Sequence, residues 1–285
     1  MSNPSAENPP AARSLADLGG TLVLVGAGKM GGSLTQGWLR LGLSPARLVA
    51  IEPYPSPEII SLASRGLRLN PPLDGEPDPA ALVIAVKPQN AVEIMPLVAS
   101  LCGSSTVVLS IMAGRTLAFL AQGLDPAAAI VRAMPNTPAA IGRGITVAIA
   151  NAHVGRTQRE LAHALLAASG TVEWIADETL LDAVTAVSGS GPAYVFLLAE
   201  TLARAGAAAG LPGELAMQLA RATIAGSGEL LERSGLDAAV LRQNVTSPGG
   251  TTAAALDVLM SEHGLERLMH DAVAAATRRS RELAG

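Results

Sequence analysis

Cysteine and aromatic residues are scarce in this chain of 285 residues, and their scarcity limits both its chemistry and its core. The single cysteine excludes a framework of internal disulfides and is typical of a reducing compartment, so we expect a cytoplasmic location. With only two residues each of Trp, Tyr and Phe, the core must be built from aliphatic side chains. The four histidines lie apart and have no cysteine beside them, so the sequence predicts no metal site.

Charge of one sign and long apolar runs are also limited. The formal net charge of −4 comes without a basic block, which argues against nucleic acid or an anionic membrane surface as a partner. No continuous run approaches the ~20 apolar residues of a membrane-spanning helix. Residues 1–19 are rich in Pro, Ser and Ala and lack the apolar segment of a signal peptide, so we expect a disordered tail there.

Lysine is nearly absent, since Lys29 and Lys87 stand against 18 arginines. A chain that uses Arg as its general surface cation keeps Lys where a compact ammonium is useful. Both lysines fall within candidate cofactor motifs.

The first of these motifs combines a strand, a glycine-rich turn and a helix. Residues 21–25 form a short continuous apolar run, typical of a buried parallel strand. The sequence Gly-Ala-Gly-Lys-Met-Gly follows at once, and apolar residues then recur at helical spacing. Gly26 permits the tight turn, Gly28 lets a pyrophosphate approach the backbone, and Gly31 lets helix and strand pack closely. This context predicts a nicotinamide dinucleotide site.

Two further strands are predicted to end beside that turn. The run 47–51 ends in Glu52, whose carboxylate can accept a hydrogen bond from the adenosine ribose 2′-OH and would repel a 2′-phosphate. This favours NADH over NADPH, although a solvated glutamate at a strand end is the alternative. The run 81–86 ends in Lys87-Pro88, and because ligands bind at the carboxyl ends of such strands, we expect Lys87 to face the cofactor.

The pattern of elements changes after residue 175. Up to that point strands and helices alternate, which predicts a doubly wound sheet with right-handed crossovers. From residue 176 only helices are evident. We therefore expect an α/β domain over 20–175 and an all-helical domain over 176–285. The helical part carries aliphatic residues on several faces, so we expect it to pair with a second copy.

One stretch of the helical part, residues 244–252, interrupts the helices without a packing reason. It reads Asn-Val-Thr-Ser-Pro-Gly-Gly-Thr-Thr. Pro248 breaks a helix, the two glycines permit positive φ, and Thr251 and Thr252 are suitable caps for the apolar helix that follows. A turn that enters a helix N-terminus presents free amides and hydroxyls, which suit a small anion such as a carboxylate. A capped inter-helix turn is the alternative.

A bound nicotinamide would make the reaction a hydride transfer. A carbonyl acceptor needs a strong proton donor, usually His, Tyr or Lys, and the helical part has no Lys. An imine acceptor is less demanding, and the serines and threonines of the turns suit it. Lys87 or Tyr194 leaves the carbonyl alternative open.

Five motifs, in this order along the chain, resemble those of the pyrroline-5-carboxylate reductase family. They span residues 26–31, 85–88, 132–137, 188–194 and 245–252, and the last is highly specific. The resemblance covers nearly the whole chain after the tail. It implies an N-terminal Rossmann-like domain that binds NADPH or NADH and a C-terminal helical domain that forms a homodimer, with larger rings of dimers in the family. The implied reaction reduces the C=N bond of 1-pyrroline-5-carboxylate to L-proline, the last step of proline biosynthesis.

The resemblance also implies roles for individual residues. Thr252 would lie nearest the imine nitrogen as the catalytic residue. The substrate-binding residues would be Glu178, Ser247, Gly249, Gly250, Thr251 and Thr252. The cofactor-binding residues implied by the resemblance are Val25, Gly26, Ala27, Gly28, Lys29, Met30, Ala85, Val86, Lys87, Pro88, Ile111, Met112, Ala113 and Asn244, and the first two strands and their turn add Gly31 and Glu52.

The chain departs from the family in its extended tail, at Glu52 and at residues 234–236. Many members carry small polar or basic residues where Glu52 stands, so the choice between NADH and NADPH stays open. Residues 234–236 lack the His-Pro that many members have there. Alternative functions are a reductase of a related cyclic imine, a relative of the hydroxyacid dehydrogenases, and a non-catalytic protein that binds a dinucleotide or pyridoxal phosphate.

Overall fold

The computed structural model describes residues 14–73 and 77–284, and the structural statements below refer to these residues. They form two compact units. The first comprises the described residues up to Gly189 together with those from Arg279 onward, and the second is Ser190–Arg278. The compact units thus divide later than residue 175, because Leu181 packs with Val147 and Ile149 of the first unit. The functional domain boundary at 175 stays a prediction.

The first unit is built on one eight-stranded sheet. Its strands are β1 Leu22–Val25, β2 Leu48–Ile51, β3 Arg68–Leu69, β4 Ala81–Ile84, β5 Val107–Ser110, β6 Ala129–Met134, β7 Gly144–Ala150 and β8 Gly170–Trp174. The sheet order is β3-β2-β1-β4-β5-β6-β7-β8, and each neighbouring pair is parallel except β6 with β7. This order confirms the predicted doubly wound sheet.

Helices account for much of the rest of the described chain. The α-helices are α1 Lys29–Arg40, α2 Pro57–Ala63, α3 Ala91–Leu101, α4 Leu117–Leu120, α5 Arg156–Ala167, α6 Leu181–Val184, α7 Gly191–Ala208, α8 Gly213–Ser234, α9 Ala238–Asn244, α10 Thr251–Leu259 and α11 Leu265–Ala284. In the second unit the small residues Ala203, Ala216 and Ala220 are buried where α7 packs on α8. The predicted helical second half is confirmed, and α9 is an addition to it.

The core of the first unit lies on both faces of the sheet. Leu22 and Leu24 of β1 pack on one face with apolar side chains of α1, α2 and α5. Val23 and Val25 point to the other face and pack with α3 and α4. Successive residues of a strand alternate between faces, and both faces are covered here. The continuous apolar runs of the sequence are therefore explained by helices on either side.

The antiparallel step between β6 and β7 was not predicted. Residues 135–143 join these strands through a short 3₁₀ turn over Thr137–Ile141. Asn136 Oδ1 accepts a hydrogen bond of 3.0 Å from the Ile145 N–H and holds the turn at its base. A parallel connection needs a crossover of a dozen or more residues, so this shorter link reverses the chain direction.

The disordered tail predicted over residues 1–19 overlaps a segment that the structure describes from Ser14 onward. Residues 1–13 lie outside the described residues. Leu15, however, is 3% exposed and belongs to the core, and its N–H donates to the Leu41 carbonyl at 2.9 Å. The ordered chain therefore includes Leu15, because this leucine buries its side chain against the end of α1.

The glycine-containing motif at residues 188–194 does not interrupt the helices in the structure. A 3₁₀ turn at Glu178–Leu180, α6, a π-helical turn at Thr185–Gly189 and α7 follow one another, so the chain stays helical from Glu178 to Ala208. Pro192 falls within the first turn of α7, where a missing N–H costs nothing. By length and composition this stretch meets the criterion for a membrane-spanning helix, although only 11% of its most apolar window is buried within the single chain. Helices buried by other protein helices have the same composition.

Candidate active site

The structure brings the predicted cofactor residues of the first unit to one edge of the sheet. β2, β1, β4 and β5 are neighbours, and their carboxyl ends lead into Glu52, Gly26, Ala85 and Ile111 respectively. Backbone hydrogen bonds extend the sheet beyond the strands, from Gly26 N–H to Ile51 O, Ala85 N–H to Val25 O, and Ile111 N–H to Ile84 O, with lengths of 2.8 to 3.0 Å. Such an edge, between β1 and β4 where the strand order reverses, is where doubly wound sheets bind ligands.

The three glycines of the turn after β1 have different surroundings. Gly26 has φ of +94°, and a Cβ there would lie 2.8 Å from the Ala85 carbonyl. A Cβ on Gly31 would overlap the Gly26 carbonyl oxygen. A Cβ on Gly28, in contrast, would meet no described atom within 4 Å. The open space at Gly28 leads to the N-terminus of α1, so the turn fits a pyrophosphate.

The Glu52 side chain accepts a hydrogen bond from this turn. Its Oε2 accepts the Ala27 N–H at 2.9 Å, and its Oε1 accepts the Tyr54 N–H at 3.0 Å. Each carboxylate oxygen can accept a second hydrogen bond, so the group still suits a ribose hydroxyl. The carboxylate is therefore held by backbone amides, and its role toward a ribose stays a prediction.

The two lysines and the loop after β4 form another part of this edge. Lys29 and Lys87 are both exposed, Lys29 as the first residue of α1 and Lys87 just before the 3₁₀ turn at Pro88–Asn90. Arg115 donates to the Pro88 carbonyl through Nε at 3.1 Å and Nη2 at 2.9 Å, and stacks 4.6 Å above the Phe119 ring. Arg115 therefore holds the Lys87-Pro88 loop. Nothing in the sequence spacing indicated this contact.

Glu178, implied to bind substrate, contacts two parts of the first unit. Its Oε1 accepts hydrogen bonds from Arg132 Nη1 at 2.6 Å and from the Leu117 N–H at 2.8 Å. The Arg132 side chain is 7% exposed, so Glu178 neutralises a buried guanidinium. Its role toward a substrate stays a prediction. Arg132 lies in a motif noted in the sequence, but no role had been inferred for it.

The turn after α9 lies in the second unit. Gly249 has φ of +69°, as expected, and the Gly250 N–H donates to the Ser247 carbonyl at 3.0 Å. Gly250 is then the N-cap of α10, so Thr251 and Thr252 are its first two residues and the prediction that they cap the helix is wrong. The turn closes before the threonines are reached, which leaves them inside the helix.

The first turn of α10 offers hydrogen-bond donors to a ligand. The first i to i−4 bond of the helix runs from the Ala254 N–H to the Gly250 carbonyl at 3.2 Å. The amides of Thr251, Thr252 and Ala253 precede it and have no acceptor within the helix. An anion is favoured at such an end. Asn244, the last residue of α9, is exposed.

Ser188 is a further polar group at the π-helical turn of the first unit. Its hydroxyl is buried and has no hydrogen-bond partner within the described part of the chain. Single π turns inside helices are frequent at functional sites. The motif at 188–194 had been noted, but the sequence did not show that its first serine is shielded from solvent.

The fold and the glycine turn define an α/β protein of the dinucleotide-binding oxidoreductase class. A family model described as pyrroline-5-carboxylate reductase dimerisation matches residues 178–283. The pyrroline-5-carboxylate reductase of Synechocystis sp. is 46% identical over 204 residues, which cover 71% of this chain and 74% of that protein. That of Pseudomonas aeruginosa is 37% identical over 264 residues, or 92% of this chain and 96% of that protein. The chain belongs to the pyrroline-5-carboxylate reductase family.

Solved structures agree with this assignment. A pyrroline-5-carboxylate reductase from Coxiella burnetii has a TM-score of 0.84 at 32% identity and covers 93% of this chain and 99% of its own. The pyrroline carboxylate reductase of Plasmodium falciparum, solved with NADP bound, has a TM-score of 0.79 at 29% identity and covers 93% and 98%. The family resemblance and the fold class expected from the sequence are confirmed.

Proposed function

We propose that this protein reduces the C=N bond of 1-pyrroline-5-carboxylate to L-proline with NADPH or NADH, the last step of proline biosynthesis. The observation that carries the proposal is that a member of this family retains both the glycine turn at 26–31, with open space at Gly28, and the turn at 244–252, with the free amides of α10. The first turn is proposed to bind the dinucleotide and the second the substrate carboxylate.

The dinucleotide is assigned to the edge of the sheet in the first unit. The residues proposed to hold it there follow β1, β2, β4 and β5: Val25–Gly31, Glu52, Ala85–Pro88 and Ile111–Ala113. Asn244 is the one proposed contact from the helical part. When bound, the nicotinamide supplies the hydride for carbon C5 of the ring.

The substrate carboxylate is assigned to the start of α10. The amides of Thr251, Thr252 and Ala253 and the dipole of the helix favour a carboxylate there, with Ser247 and Gly249 shaping the turn. The Thr252 hydroxyl holds the proton at the imine nitrogen, either directly or through water. Positioning of this kind provides much of the rate in a reaction that needs no strong acid.

Glu178 is also proposed to contact the substrate. Its Oε1 already accepts hydrogen bonds from Arg132 and Leu117, so we expect Oε2 to contact the ligand. The dinucleotide domain is proposed to span 20–175 and the substrate domain 176–285.

A homodimer through the helical part is supported by the dimerisation family that matches it. Large apolar side chains on several of its helices are exposed in the single chain, among them Phe196, Leu197, Leu202, Leu219, Leu231, Val258 and Leu268. Exposed apolar surface of this extent marks an interaction site. We further propose that dimers assemble into a ring and that the enzyme acts in the cytoplasm without a nucleic acid or membrane partner.

The test is to follow the loss of NADH or NADPH absorbance in separate assays with 1-pyrroline-5-carboxylate, with proline measured as the product. Oxidation that matches proline formation supports the proposal. Dinucleotide binding without oxidation would redirect it to another cyclic imine, such as the six-membered homologue, or to a carbonyl acceptor. If neither dinucleotide bound, the assignment of the glycine turn would be wrong.

A further inference from the structure

Asn70 has an unusual backbone conformation. It follows β3 directly and has φ of +48°, the one positive value among the non-glycine residues that the structure describes. Asparagine adopts this left-handed region more readily than other residues with a side chain, but still at some cost. Such a conformation persists when the surrounding contacts require it.

The contacts that require it join Asn70 to the backbone of Glu52. The Glu52 N–H donates to Asn70 Oδ1 at 2.8 Å, and Asn70 Nδ2 donates to the Glu52 carbonyl at 2.9 Å. The Asn70 N–H also donates to the Ala50 carbonyl at 2.8 Å. The pairing of β2 with β3 ends at Ala50 and Leu69. Beyond that point the side-chain amide of Asn70 makes the two hydrogen bonds to the residue after β2 that a further strand residue would have made.

The two ends of the Glu52 residue are therefore held by different groups. Asn70 holds its backbone, while Ala27 of the glycine turn and Tyr54 hold its carboxylate. A side chain restrained at both ends loses little further freedom when it binds a ligand, so its contribution to affinity increases. The same restraint prevents the carboxylate from moving away from a second negative charge.

We infer that Asn70 is a positioning residue that sets the preference for NADH over NADPH by holding Glu52 at the glycine turn. The inference rests on the proposed function, because it assumes that the adenosine ribose lies beside Glu52. A fixed carboxylate accepts the ribose 2′-OH and repels a 2′-phosphate, whereas a mobile one could turn aside and tolerate it.

The test compares Asn70→Gly with Asn151→Gly. Glycine keeps the positive φ at position 70 and removes both side-chain hydrogen bonds. Asn151 is the control, because its side chain also bonds backbone groups of a neighbouring segment: it accepts the Ile130 N–H at 3.1 Å and donates to the Ala128 carbonyl at 2.8 Å, and it accepts the His153 N–H at 3.3 Å as well. Those bonds lie at the start of β6, at the opposite end of the sheet from the carboxyl ends of β1 and β4.

Dissociation constants for NADH and NADPH are measured calorimetrically on the full chain without substrate. We expect the ratio of the NADPH to the NADH constant to exceed one in the wild type. We expect it to fall roughly fivefold in Asn70→Gly, the effect of an ordinary hydrogen bond, and to stay unchanged in Asn151→Gly. In the Glu52→Gln background, Asn70→Gly should change the ratio no further.

Three results would overturn the inference alone. The first is a ratio of the NADPH to the NADH dissociation constant of one or below in the wild type. The second is an unchanged ratio in Asn70→Gly. The third is a change on adding Asn70→Gly to Glu52→Gln that is as large as the change in the wild-type background. Failure of both dinucleotides to bind the wild type would overturn the proposed function and this inference together.

Discussion

The guanidinium of Arg132 and the carboxylate of Glu178 form an ion pair of 2.6 Å that joins the end of β6 to the start of the helical stretch. Arg132 is 7% exposed through its side chain and Glu178 is 27% exposed. Because the guanidinium is the more deeply buried partner, removing the carboxylate should lower the free energy of unfolding more than removing the guanidinium does. A buried charge left without its partner is more costly than the loss of the pair as a whole.

Glu178→Ala should therefore destabilise the protein by about 3 kcal/mol, and Arg132→Met by less, since the remaining carboxylate can be hydrated. Urea unfolding of both variants and of the double variant measures the difference. The exposed pair Arg156–Glu160 is the control, and Glu160→Ala should cost at most about 1 kcal/mol. Unchanged stability of Glu178→Ala with a raised KM would assign this residue to substrate binding instead.

Alanine at Gly28 and at Gly31 should act differently. Gly28 has room for a Cβ, so Gly28→Ala should fold normally but bind the dinucleotide at least tenfold more weakly, because the methyl group takes the space of the pyrophosphate. Gly31→Ala overlaps the Gly26 carbonyl and should lower the thermal midpoint before any ligand is added. Thermal unfolding and calorimetric titration separate the two effects. Equal melting of both variants would contradict the prediction.

Thr252→Ala should reduce kcat by roughly 10- to 100-fold, since it removes the hydroxyl proposed to hold the proton at the imine nitrogen. Dinucleotide affinity should stay within twofold of the wild type, because Thr252 is not among the residues assigned to the cofactor. Thr252→Ser keeps a hydroxyl at the same position and should recover much of the activity. Full turnover in Thr252→Ala would remove this residue from the mechanism.

His163 should make stability depend on pH. Burial, followed by the positive charge of Arg159, lowers the pKa of this histidine below its ordinary value of 6.5, and its Nδ1 accepts the Trp174 Nε1–H at 3.2 Å. The folded state therefore favours the neutral ring, so this stabilisation is complete above the unfolded pKa and is lost as the pH falls toward the folded value.

Thermal midpoints measured from pH 7.5 downward test this expectation. His163→Gln should reduce the decline in the midpoint below about pH 6.5, where histidines of the unfolded chain take up protons. His270→Gln, at a histidine whose side chain is 82% exposed, is the control and should leave the decline unchanged. A decline of equal size in all three proteins would assign the pH dependence to other groups.

The sequence by itself determined the parts of this protein that depend on local backbone chemistry. Residues 22–25 are apolar without interruption because both faces of their strand are covered, and Gly26 and Gly249 are glycine because φ is positive there. Order along the chain was then enough to predict the sheet, since neighbouring parallel strands bring their carboxyl ends together. The meeting of Gly26, Glu52 and Ala85 at one edge of the sheet could be predicted for this reason, while their role toward a cofactor stays a prediction.

Only the tertiary structure decided which distant side chains meet. Arg132 and Glu178 are 46 residues apart, and Asn70 is 18 residues from Glu52, with no spacing or composition that indicates either contact. The same holds for Leu15 in the core and for the π turn that keeps residues 178–208 helical. These features arise from the packing of elements that are remote in sequence, which periodicity and turn chemistry do not record.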